Sequence, residues 1–214
     1  MSQLVAYYDE EPVEVDNKVE IRQDHISAVG AARSVEGAVR THLVYVVVHR
    51  PAETLLVPFG EYDDWSLRDR YNEAIRIMNV LGASTIVCET FREVSQAGGL
   101  RARINGKGGG LQQQRDENSG FDFRHEGSGN APRDPNPLNW PDEPGFAAAV
   151  MSVLENGSAE VELNIKSSRN YSVNGSLGVQ LGGLGFDLGG MMQKSGATSL
   201  HIHATFPQAR KGWK

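Results

Sequence analysis

The chain is 214 residues long, with 39% hydrophobic and 22% charged residues, 24 glycines, one cysteine and a formal net charge of -6. A single cysteine excludes an internal disulfide framework, and 27 acidic against 21 basic residues argue against a nucleic-acid partner, which would need an excess of lysine and arginine to neutralise phosphates. No apolar run approaches the roughly 20 residues of a membrane-spanning helix, and residues 1–15 lack the basic and apolar regions of a signal peptide, so a cytoplasmic location is expected.

From the N-terminus, Val13, Val15, Val19 and Ile21 alternate weakly among acidic neighbours and predict one or two edge strands between Val13 and Ile26. His42 to His49 and Thr54 to Phe59 are β-branched runs too short for helices, joined by Arg50-Pro51-Ala52-Glu53. They predict a hairpin. Leu67, Tyr71, Ala74, Ile75, Met78 and Leu81 recur at spacings of three and four after Asp63-Asp64 and before Gly82, which predicts one amphipathic helix with an acidic start and a glycine stop. Ser84 to Glu89 then reads as a buried strand. Residues 1–97 are therefore expected to form a ββαβ unit with its helix on one face of a mixed sheet.

Residues 98–138 are rich in glycine and proline. They read either as a flexible insertion, with 105–137 disordered, or as an irregular hairpin pairing Leu100–Ile104 with Phe121–Phe123. This stretch carries the one basic patch, Arg101, Arg103, Lys107 and Arg115, which lacks the interleaved aromatics of a single-strand binder. Gly106-Lys107-Gly108-Gly109-Gly110 has neither the Gly-Lys-Ser/Thr ending nor the strand-to-helix setting of a phosphate loop.

In residues 139–214, Pro141 and Pro144 precede Phe146, Val150, Val153 and Leu154 at helical spacing, and Asn156-Gly157 closes the helix. Val161, Leu163 and Ile165 alternate with polar residues, as do Leu200, Ile202, Ala204 and Phe206. Between these strands lies a direct repeat, Leu177 to Gly183 followed by Leu184 to Gly190. Seven is odd, so one continuous strand would turn the second set of leucines to the wrong face. A type I′ turn at Gly182-Gly183 removes the conflict and predicts a hairpin, about 171–194, whose apolar face is Val173, Leu177, Val179, Leu181, Leu184, Phe186, Leu188 and Met192. The expected fold is thus α+β: a ββαβ unit, a glycine-rich insertion, then a helix and a four-stranded antiparallel sheet that contains this hairpin, sharing one core with 1–97.

This hairpin of apolar residues alternating with small polar ones resembles the stem hairpins of β-pore-forming proteins, a class that includes aerolysin-like toxins and bacterial gasdermins. Arms of about 9–11 residues match a membrane-spanning strand. The resemblance implies a homo-oligomer that associates with a lipid membrane on activation, a use for strands that no bulky side chains lock in place. A role in bacterial defence would follow.

Catalytic signals are sparse. His201 and His203 share a strand face and are the candidate metal ligands, but without an adjacent acid at ligand spacing they read as solvated sheet histidines, and neither metal nor cofactor is expected. Cys88 lies in an apolar strand, which does not suit a reactive thiol. The leading expectation is a non-enzymatic, self-assembling protein. Its alternatives are a soluble adaptor that recognises a protein partner through the 98–137 loop, and a metal-dependent hydrolase using His201, His203 and His125.

Overall fold

The structure is a computed structural model and describes residues 3–15, 20–93, 113–115, 121–166, 175–189 and 199–207, with only the backbone at 92–93, 113–115 and 175–177. The fold is α+β, with a mixed sheet and an antiparallel sheet. The chain divides into two compact units. The first comprises residues 1–69, 137–140 and 168–195, and the second comprises 70–136, 141–167 and 196–214. This differs from the expected division at 97 and 138.

The first unit is built on β1 (Gln3–Tyr8), β2 (Arg22–His25), β3 (Arg33–Ser34), β4 (Val44–His49) and β5 (Thr54–Pro58), in the order β2-β1-β4-β5-β3. β4 and β5 form the predicted antiparallel hairpin, with Val46 opposite Val57 and Val48 opposite Leu55. β2 and β3 are parallel edge strands on β1 and β5. Among the described residues, β2 alone falls in the expected edge region, where the Gln23 side chain bonds both backbone polar groups of Val13 at 2.8 Å.

Leu43 to Val48 are all buried because this sheet is covered on both faces. Val44, Val46, Leu55 and Val57 pack on one side with Phe59, Tyr62, Leu181 and Phe186. Leu43, Tyr45, Val47 and Leu56 face the other side, against Ile26, Val29, Ala32 and Val39. A strand buried on both faces needs no polar alternation, which is why β1 left no periodic signal in the sequence.

The predicted amphipathic helix is α1 (Tyr62–Val80). It follows a 3-10 turn, so Asp63 and Asp64 lie within the first turn instead of preceding it. Carboxylates there still face the positive end of the helix dipole. Gly82, at φ +82°, ends the helix as expected.

In the second unit, β6 (Thr85–Glu93), β9 (Glu160–Lys166) and β10 (Ser199–Thr205) pair antiparallel in the order β6-β10-β9. The free edge of β6 is filled end to end by β8 (Phe123–Glu126) and β7 (Gln113–Arg115). The sheet is therefore four strands wide, as expected, but its membership differs. β6 and the β7/β8 pair complete the sheet in place of the two arms of the hairpin, and β6 does not belong to the sheet of β4 and β5. One face is apolar, with Ile86, Cys88, Val161, Leu163, Ile165, Leu200, Ile202 and Ala204 buried. α2 (Pro144–Leu154) packs on β9, burying Phe146, Ala149, Val150 and Val153. Leu154, expected on that stripe, is 38% exposed.

Residues 130–135 of the glycine- and proline-rich stretch are tied to α1 and the turn after it by hydrogen bonds. Asn130 N donates to Gly82 O at 3.2 Å, Arg133 N to Val80 O at 3.0 Å, and Arg76 Nη2 to Pro135 O at 3.0 Å. Phe123 pairs with Cys88 of β6. The proposed partner strand Leu100–Ile104 lies outside the described residues.

Candidate functional site

The glycine-rich repeat contradicts its sequence reading. Gly175–Gly183 is a helix, α3, and not the first arm of a hairpin. Gly182 and Gly183 lie in its last turn with ordinary negative φ, so they do not form a type I′ turn. The helix ends at Gly185, which has φ +93°. Gly185 N donates to Gly182 O at 3.1 Å and Phe186 N to Leu181 O at 3.2 Å, the paired bonds of a Schellman ending, with Leu181 and Phe186 buried in one cluster as its apolar contact.

The second copy of the repeat runs on irregularly. Val44 N donates to Asp187 O and Asp187 N to His42 O, both at 2.9 Å, while Gly60 N donates to Leu188 O at 2.7 Å. These contacts accompany a left-handed His42 at φ +59°. Gly189, at φ +75°, sits so close to the sheet that a Cβ would lie 2.6 Å from Pro58 Cβ.

Seven residues make two helical turns as readily as an odd count of strand positions. Leu181, Leu184 and Leu188 are spaced by three and four in the sequence, but only Leu181 lies within α3; Leu184 and Leu188, beyond its end, pack on the same β4–β5 face. Val179 does not fit that period and is 76% exposed. Val173 and Met192 of the expected apolar face lie outside the described residues, as does the side chain of Leu177. Arg101, Arg103 and Lys107 of the basic patch are also outside them. Arg115 pairs with Phe91 through the backbone of β7.

On the second unit's sheet, His201 and His203 alternate with buried Leu200, Ile202 and Ala204, and so project from the opposite, open face. His203 is opposite Glu162 of β9. Its Nε2 lies 2.5 Å from Glu160 Oε1, and His201 Nε2 lies 3.9 Å from Glu162 Oε2. The acids expected to be missing are therefore supplied by the neighbouring strand. Their signal was present in the sequence as Glu160-x-Glu162 on the polar positions of β9, but it needed the β9–β10 pairing to become meaningful. His125 pairs with Ile86 and so falls on the other face of the sheet. The three histidines of the hydrolase reading do not converge.

Other chemistry-bearing groups have structural explanations. Burial, aided by the charges of Asp122 and Glu89, pushes the Cys88 thiol up to about 12, so it is not a ready nucleophile. Ser27 Oγ lies 2.7 Å from His25 Nδ1, but that nitrogen also accepts from Ser27 N and caps an exposed 3-10 turn. Arg50 stacks 5.3 Å over Trp65 and ion-pairs with Asp69, which accepts from Trp140 Nε1 at 2.6 Å. This cluster anchors the start of α1. Among the described residues, no helix is long and apolar enough to cross a membrane. Comparison with known protein families, with curated proteins and with solved structures returns no match.

Proposed function

We propose that the protein is a non-enzymatic, self-assembling protein whose glycine-rich segment leaves the N-terminal sheet and pairs as a β-hairpin in the assembly, at a lipid membrane. The observation that carries this reading is that Leu177, Leu181, Leu184 and Leu188 are spaced for a helix as well as for a hairpin, and only the first part of the segment, to Gly183, is helical. As a helix the segment is poorly specified: four of the nine residues of α3 are glycine, each costing about 1 kcal/mol relative to alanine in a helix interior. So short a helix is held by tertiary burial, here of Leu181 and Phe186. As a hairpin it would bring exposed Val179 onto the same face as Leu181, Leu184 and Phe186 and place Gly182-Gly183 where positive φ is needed.

The two glycines give a test that separates the states. Gly182 and Gly183 have nothing within 4 Å of an added Cβ, so Gly182→Ala with Gly183→Ala should stabilise the isolated protein by about 1–2 kcal/mol through helix propensity. The same pair disfavours a type I′ turn and should suppress assembly. Light scattering should show a mass increase with anionic liposomes, and entrapped dye should leak. Val179→Asp should keep stability within about 0.5 kcal/mol, as an exposed substitution, yet lose leakage. Monomer mass without leakage at every lipid composition would sink the proposal, as would a double-alanine variant that assembles and leaks like the parent.

A further inference from the structure

We infer that the open face of the β9–β10 pair binds a divalent transition-metal ion of the zinc class through Glu160, Glu162 and His203. One ligand atom from each of these side chains lies within 4.8 Å of the other two. The arrangement follows from the sheet. Side chains two apart on a strand share a face, and the register sets His203 opposite Glu162 with Glu160 on the diagonal. The carriers are fixed because the intervening Val161, Leu163 and Ile202 are buried, so neither strand can rotate its polar face away. The ligand ends remain accessible, with the side chains of Glu160 and His203 62% and 30% exposed.

Charge supports the same conclusion. Two carboxylates two apart on one strand repel each other, and a lysine or arginine on the next strand is the usual remedy. Here the neighbours are imidazoles: among the described residues, the basic side chains beside Glu160 and Glu162 are those of His203 and His201. Mixed imidazole and carboxylate donors suit zinc, whereas calcium and magnesium favour oxygen alone. Three protein ligands leave a further position for water or an incoming group. The inference does not rest on the assembly proposal, since these residues lie in the second unit and the repeat in the first.

Calorimetric titration of the untagged full chain with zinc chloride tests it, with cobalt as the spectroscopic probe. About one ion should bind per chain, and cobalt should develop visible d–d bands. His203→Ala, and separately Glu160→Gln with Glu162→Gln, should weaken binding at least about tenfold while leaving the metal-free melting temperature in place. His25→Ala with His42→Ala should bind as the parent does. Because the two glutamates are exposed, their variant keeps the test valid even if His203→Ala misfolds. Zinc binding that survives the glutamate substitutions, that is lost with His25 and His42, or that falls below about 0.1 ion per chain at saturating zinc would overturn the inference.

Discussion

Cys88 shows how one side chain couples burial to pH. Desolvation first, then the charges of Asp122 and Glu89, raise its thiol from 9.0 to about 12. Burial raises the Tyr71 hydroxyl to about 12 as well, with Cys88 and Asp122 adding to the shift. In both cases the folded state favours the neutral form. The unfolded chain loses these protons first, from about pH 9, so stability from the neutral groups is full below pH 9 and is lost as pH rises towards 12. Denaturant midpoints should therefore fall between pH 9 and 11, and a disulfide reagent at pH 8 should modify the native protein far more slowly than the unfolded chain. Rapid native labelling would show that β6 is open. At this scale the sequence was informative, because an apolar neighbourhood already marked Cys88 as inert. The pairing of His203 with Glu160 was not legible, because residues 43 apart meet only through strand register.

Among the elements, β9 and β10 were the most legible. Alternation predicted their inward residues, and Val161, Leu163, Ile165, Leu200, Ile202 and Ala204 are all buried. Ile202→Ala should cost about 2–5 kcal/mol, whereas Asn164→Ala, on the open face, should stay within about 0.5 kcal/mol; chemical denaturation distinguishes them. Equal losses would mean that both faces are covered. The glycine-rich repeat was the least legible. Its leucines fit period two with a turn and period 3.5 without one, and glycine removes the side-chain preferences that usually choose between them. The choice fell to Leu181 and Phe186, which the helix with its Gly185 ending buries on the β4–β5 face.

At the level of the whole molecule, the units are interleaved along the chain. The first needs residues 168–195 as well as 1–69, and the second combines α1 from Arg70 onward with β6 and the C-terminal strands. A fragment of residues 1–97 would keep β6 without β10, its seven-residue partner, and would lose Leu181 and Phe186 from the first core. It should therefore lack a cooperative unfolding transition and aggregate through its unpaired strand, which circular dichroism melts and gel filtration would reveal. A monomeric, cooperatively folded fragment would contradict this division. By itself the sequence determined the α+β class, α1, α2, the β4–β5 hairpin, and which faces of β9 and β10 are apolar, because each is written in periodicity within a few residues. Only the tertiary structure decided which sheet β6 joins, how the glycines of 175–189 fold, and that two glutamates stand beside two histidines. Those outcomes depend on burial and register between distant segments, and local periodicity cannot encode them.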